Sequence, residues 1–181
     1  MVLVSKSEHN FEFDFPTVTL AYFNRYPNPF STHVLSCDTI SKRIDTQGNL
    51  HQTKLIVKTG RLPKWIAPFL GSRITSSCII EHTVVNPLER TMMTYTRNLD
   101  HTKILQIEEF TSFKYNPVDN VTSSQSKVKF SSGFKAWGVK DRIENWSFQR
   151  FSDNLKRSRL GLKFVMSEIR MRVTKGQVLD T

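Results

Sequence analysis

Arg150, Asn154 and Arg157 stand four and three residues apart, a spacing that stacks polar side chains on one face of a helix. Projected at about 100° per residue, they fall in line with Ile143, Trp146, Gly161 and Val165, which face inward. Isolated inward charges cost several kcal/mol unless paired. Few acids are at hand to neutralise them: residues 136–175 hold ten Lys/Arg against four Asp/Glu. One solution is a water-filled cavity that receives an anionic ligand. The other is a helix turned slightly so that both arginines snorkel to solvent. Arg25 is a further candidate cation, set in the aromatic run Tyr22-Phe23-Asn24-Arg25-Tyr26. Lys54 and Lys58 share one strand face with Ile56 between them. That face is either solvated or lines a concave sheet with Arg61 at its exit. Several such donors together are what a phosphomonoester needs, since it carries up to two charges and many acceptor lone pairs.

Signals for covalent catalysis are weak. The chain has no GxSxG, GxxxxGK[ST], HExxH or GxGxxG pattern. His9, His33, His51, His82 and His101 are scattered over separate segments. Glu108 and Glu109 point to opposite faces of a strand, so they are not a paired acid and base. Asp100-His101 sits at a hairpin turn. Cys37 and Cys78 lie 41 residues apart with no CxxC pair, and are expected to be free, buried thiols. Neither a metal nor a cofactor is expected.

The elements that position these groups follow from pattern. A chain of 181 residues suits one domain, and 13 Phe, three Trp and four Tyr supply a core. A single domain over residues 1–175 with a short tail, 176–181, is expected. Phe11, Phe13 and Phe15 alternate with Glu12 and Asp14, so residues 1–15 read as a strand rather than a targeting leader. Pro16 opens a short helix that Tyr26-Pro27 and Asn28-Pro29 end. Six further strands are expected at residues 33–45, 50–59, 73–85, 91–99, 103–115 and 121–134, joined by short turns as an antiparallel meander. The proline-free stretch 136–175 fits one long helix. No apolar run approaches the roughly 18 residues of a spanning helix.

Residues 60–72, GRLPKWIAPFLGS, break the pattern. Leu62, Trp65, Ile66, Phe69 and Leu70 are too apolar for an ordinary loop. They form either a loop tucked on the core or a lid that touches a membrane, where Trp and Leu beside Arg61 and Lys64 suit the interface.

The balance of 26 basic to 16 acidic residues, +10, implies an anionic partner. Two classes remain. A curved sheet and a long helix could enclose a lipid with its anionic headgroup inside. A basic nucleic-acid-binding domain is the alternative, although RNP-type, KH-type and zinc-knuckle signatures are absent.

Two segments decide between them. FNRYPNPFSTHVLSCDTI (residues 23–40) resembles the "KYPNP…H" segment of the PRELI-like, or slowmo/Ups, lipid-transfer family. EHTVVNPLERTMMTYTRNLDHT (residues 81–102) resembles the family's second signature, an "E-x-S/T-V-V-x-P" strand followed by an "x-T-x-N" strand. GRLPKWIAPFLG matches in position and character. The resemblance covers about residues 1–172, and RNLDHT and KFSSGF bring it closest to fungal members that carry phosphatidic acid. It implies an α+β fold: a curved seven-stranded antiparallel sheet with a long C-terminal helix enclosing a lipid cavity, as in StAR-related and phosphatidylinositol-transfer proteins. It implies a carrier rather than an enzyme, which moves phosphatidic acid between the outer and inner mitochondrial membranes in support of cardiolipin synthesis. The implied location is the intermembrane space, peripheral to the inner membrane. The implied partners are anionic mitochondrial membranes and a small helical protein with twin Cys-x9-Cys motifs, in a heterodimer. By position, Arg25, His33, Lys58, Arg61, Arg150, Asn154 and Arg157 match headgroup residues. Leu62, Trp65, Ile66, Phe69 and Leu70 match the membrane-contacting lid. Arg61, Arg150 and Arg157 stand where other members carry lysine, which keeps the charge but alters its geometry.

Overall fold

The computed structural model describes residues 3–59, 76–102, 105–133 and 139–174. Seven strands form one antiparallel sheet: β1 (Leu3–Phe11), β2 (Val34–Ile44), β3 (Leu50–Thr59), β4 (Ser76–Asn86), β5 (Thr91–Asn98), β6 (Gln106–Asn116) and β7 (Val121–Ser131). Helix α1 (Phe15–Phe23) follows β1, and the 36-residue α2 (Val139–Thr174) ends the order. The sheet order is β1-β7-β6-β5-β4-β3-β2. Strands β2 to β7 are thus a meander, and β1 closes the far edge against β7. The α+β expectation of a curved seven-stranded sheet with a long C-terminal helix holds. Among the described residues no helix is long and apolar enough to cross a membrane.

Period-two alternation sets one face of each strand inward. On β7, Thr122, Ser124, Ser126, Val128 and Phe130 are buried, while the residues between them are not. The inner face is apolar at one end and polar in its middle. At the end beneath α1, Phe11, Phe13, Phe15, Val18, Ala21, Val85, Met92 and Phe113 pack with Leu162 and Met166 of α2. Apart from Ala21, each such buried side chain contributes about 1.5–3 kcal/mol. Toward the other end, Phe130 meets Phe148 and Phe151 of α2 at 6.5 and 5.4 Å between ring centroids. Helix α2 therefore runs along the β1/β7 side. Arg159 reaches Ser7 at 3.1 Å, and the Arg170 guanidinium lies 3.9 Å from the centre of the Phe13 ring.

Phe11, Phe13 and Phe15 do share a buried side, but one strand does not hold all three. The strand ends at Phe11, and Asp14 then caps α1. The Asp14 carboxylate accepts from the Thr17 N–H and hydroxyl, both at 2.8 Å, satisfying a donor the helix start would leave free. Asp14→Ala is expected to lower stability by about 1 kcal/mol, read as a shift in denaturation midpoint at unchanged slope. Cys37 and Cys78 are free, as expected, but only half-buried, because Cys37 sits near the β2 edge of the sheet and Cys78 near the start of β4.

Candidate functional site

The polar middle of the inner face is built by register. Lys54 lies opposite Glu81, Glu81 opposite Thr96, Thr96 opposite Glu109, and Glu109 opposite Val128. Cross-strand partners have Cβ atoms about 4.5–5.5 Å apart, so Lys54, Glu81, Thr96 and Glu109 form a polar row across β3 to β6. Lys58 and Ile56 share the inner side of β3 with Lys54, where Lys54 is 7% and Ile56 1% exposed. The Lys-Ile-Lys pattern therefore lines the sheet's interior rather than a solvated face. Glu108 points outward to the Tyr95 hydroxyl at 2.8 Å and to Lys129 at 3.7 Å, while Glu109 faces inward.

Helix α1 and the loop after it bring the other half. Arg25 is buried, with Nη2 donating to Glu81 Oε2 and Nη1 to the Tyr22 carbonyl at 2.7 Å. Its guanidinium stacks 4.1 Å from the Tyr22 ring centre and 4.8 Å from that of Tyr26. The Tyr22 hydroxyl donates to the same Glu81 oxygen at 2.8 Å. Lys54 Nζ donates to the Phe23 carbonyl at 2.6 Å. The loop is tied down at both ends. Asn28 donates to the Arg25 carbonyl and accepts from the Phe30 N–H at 2.9 Å. Thr59 at the end of β3 donates its N–H to the His33 carbonyl at 2.8 Å, which sets His33 beside Lys58.

The electrostatics follow from crowding of cations. Burial opposes the Arg25 charge, but Glu81, Tyr22 and Tyr26 outweigh it and hold the guanidinium firmly protonated. Burial, then Lys58, Arg157 and Arg150, push the His33 imidazole below its ordinary value of 6.5. Burial also disfavours the Lys54 ammonium, and Arg25 adds to that. Burial would raise the Tyr26 phenol, yet Lys58 and Arg25 bring it below its usual range. Burial raises the Glu109 carboxyl against the pull of Lys58 and Arg25, and Glu81 adds to the rise. Glu109 is half-buried on the inner side of β6.

The sequence-based site residues divide into three sets. Lys58 acts on both His33 and Tyr26, and Arg25 acts on Tyr26 as well. Arg150, Asn154 and Arg157 do not point into the core: all three are exposed. Trp146 and Val165 of the same row are half-buried, and Ile143 and Gly161 buried. A long helix can turn its polar row toward solvent when its side chains are long enough to reach it. Arg150 and Arg157 still lie near enough to influence His33, so they stand at the rim of the cationic group. Arg61, Leu62, Trp65, Ile66, Phe69 and Leu70 lie outside the described residues.

Sequence reasoning missed Glu81, Glu109, Tyr22 and Tyr26. The signal for Glu81 was present: Ile79, Glu81, Thr83 and Val85 alternate on one side of a strand, which sets a carboxylate among inward residues. A concavity of about 420 Å³ opens on the outer face of the sheet. It takes in Lys6, Glu8, Met93, Phe110, Gln125 and Lys127 from the outer face. No group of three potential metal ligands occurs among the described residues.

The model of the PRELI-like family matches residues 16–172. "Protein UPS1, mitochondrial" of Saccharomyces cerevisiae is 52% identical over 169 residues, covering 93% of this chain and 95% of that protein. "PRELI domain-containing protein 1, mitochondrial" of Gallus gallus is 28% identical, covering 91% of this chain and 76% of its own length. Among solved structures, TTHA0849 from Thermus thermophilus superposes with a TM-score of 0.61 at 9% identity, covering 92% of this chain and 99% of that one. At that identity the likeness is one of fold.

Proposed function

Because the chain belongs to the PRELI-like family, we propose that it is a lipid carrier that extracts phosphatidic acid from one mitochondrial membrane and delivers it to another. The observation that carries this reading is a cationic group in which buried Arg25 and Lys54 stand with half-buried Lys58 and His33, Lys54 and Lys58 on the inner side of β3. A buried anion needs paired donors, and here they are inside the fold, where a nucleic-acid strand does not reach. The chemistry is physical rather than covalent. Moving two acyl chains through water costs roughly 0.8 kcal/mol per CH₂, and an apolar enclosure removes most of that cost. The inner cations replace the water lost by the phosphate, and basic rim residues such as Arg150 and Arg157 add attraction to an anionic bilayer, about 1 kcal/mol each near the surface.

The family resemblance extends the proposal to location and partners. The carrier works in the intermembrane space, peripheral to the inner membrane, supplies phosphatidic acid for cardiolipin synthesis, and is held in a heterodimer by a small helical protein with twin Cys-x9-Cys motifs.

Extraction from liposomes of defined headgroup tests the reading. Wild-type protein is expected to remove phosphatidic acid in preference to phosphatidylcholine. Lys58→Gln is expected to weaken extraction about tenfold or more, since a charged hydrogen bond contributes about 1.5–3 kcal/mol. The same assay carries a pH signature. A phosphate beside His33 favours the imidazolium that burial and cations suppress, so binding takes up a proton and strengthens as pH falls from about 8 to 6. His33→Gln should flatten that slope relative to wild type. The difference isolates His33, because the lipid and Glu109 titrate in both proteins. Equal extraction of all headgroups would remove phosphatidic acid from the reading, and parallel pH curves would remove His33.

A further inference from the structure

Glu81 is 2% exposed, and its two oxygens are treated very differently. Oε2 accepts from both Arg25 and the Tyr22 hydroxyl, whereas Oε1 is buried with no hydrogen-bond partner among the described residues. Stability alone gives no reason to retain such a carboxylate. A buried ion pair gains little over an apolar pair of similar volume, and an unsatisfied oxygen adds a penalty. Glu81 also governs the very cation that the proposed function assigns to the headgroup. The Arg25 guanidinium is engaged by protein groups on both terminal nitrogens and covered by two tyrosine rings. An anion that reaches Arg25 must share it with Glu81.

We infer that Glu81 tunes the affinity of the carrier: a built-in anion that competes with the ligand's phosphate for Arg25 and keeps binding weak enough for release. The inference rests on the lipid-carrier reading. A transfer protein must give up its cargo, and Arg25, Lys54 and Lys58 so close together and unopposed would hold a phosphomonoester too tightly. Glu81 lies on that same row, in register with Lys54, and offsets part of this field at its centre. The bond to Tyr22 keeps the carboxylate in place, so that it competes from a fixed position rather than swinging away. Lys54, by contrast, donates to the Phe23 carbonyl, with no carboxylate oxygen of the described residues within 4.0 Å. Glu81 is the carboxylate bonded to Arg25, while Glu109 acts on Arg25 and Lys58 without a bond to either among the described residues. Neutralising Glu81 leaves the cations in place and removes the competitor.

Glu81→Gln and Glu81→Thr test this. The first keeps the shape. The second matches Thr83, Thr94 and Thr96 on the neighbouring inner positions and suits a strand. Three quantities are read on purified protein: melting temperature without lipid, the liposome concentration giving half-extraction of phosphatidic acid, and the rate of delivery to acceptor liposomes. The expected result is extraction at least fivefold tighter with delivery slowed by a similar factor. A residue that only supports the fold would weaken extraction and delivery together. Unchanged or weaker extraction by either folded variant would overturn the inference, and so would failure of both variants to fold. If wild-type protein extracts no phospholipid, the carrier reading itself falls. Extraction by wild type without a gain in the variants removes Glu81 alone.

Discussion

Arg25→Glu is expected to lose lipid extraction and much of the stability at neutral pH. The sequence on its own makes this a charge reversal in a ligand site, which a fold survives. The structure changes the forecast. Arg25 is the partner of buried Glu81, so the substitution sets two carboxylates against each other under Tyr22 and Tyr26. Removing one member of a buried pair costs about 3–5 kcal/mol, and like charge adds to that. For a chain of this size each kcal/mol moves the melting temperature by roughly 2–4 °C, so a fall of about 10 °C or more is expected. The pH dependence gives a second handle. Two facing buried carboxyls raise each other's proton affinity, so the folded state binds more protons than the unfolded chain. Stability of the variant should then rise as pH drops from about 7 to 5. Arg25→Glu that melts like wild type at pH 7, with no gain at pH 5, would show that the pair does not form. Arg25→Gln, which leaves one carboxylate rather than two, should fall between.

Gly161→Leu is expected to cost about 3 kcal/mol and to disturb the headgroup site through the Asn28 loop that rests on α2. A Cβ at Gly161 would come 2.7 Å from Asn28 Oδ1 and 3.0 Å from its Nδ2. That amide cannot step aside freely, because it bonds the Arg25 carbonyl and the Phe30 N–H. Overpacking costs about 1–3 kcal/mol, and stranding those bonds adds about 1 kcal/mol or more. Gly161→Ala should be milder, since alanine returns about 1 kcal/mol of helix propensity against a smaller clash. A graded loss from Gly to Ala to Leu, with extraction falling as the Asn28 loop lifts, is the expected series. Melting temperatures within about 2 °C across all three would show that the loop does not rest on α2.

Much of this molecule was legible in the residues themselves. Strands β2 to β7 and both helices lie within a few residues of where alternation, Asn-Pro and Asp-Asn turns and proline placement set them. Those signals are local, and the backbone answers to them locally. The motifs around Tyr26-Pro27-Asn28-Pro29 and Glu81–Asn86 carried the family, because several specific residues recur in fixed order. The inward placement of Lys54 and Lys58 was one of two open readings, and only pairing with β4 decided it.

What the sequence could not decide is set by long-range contact. Arg25 and Glu81 are 56 residues apart, and nothing local tells that they meet. Helical projection gives relative angles but not which angle faces the sheet, so Arg150, Asn154 and Arg157 projected inward yet lie exposed. Packing fixed that rotation: Phe148 and Phe151 settle on Phe130, and Gly161 lets Asn28 in close. Phe13 and Phe15 followed the alternation of a strand but left it, because the Asp14 cap and α1 offered the same burial in a different backbone. Composition and order thus determined the elements and the excess of cations. The tertiary structure alone decided which charges neutralise each other, since that depends on sheet register and on one helix's rotation.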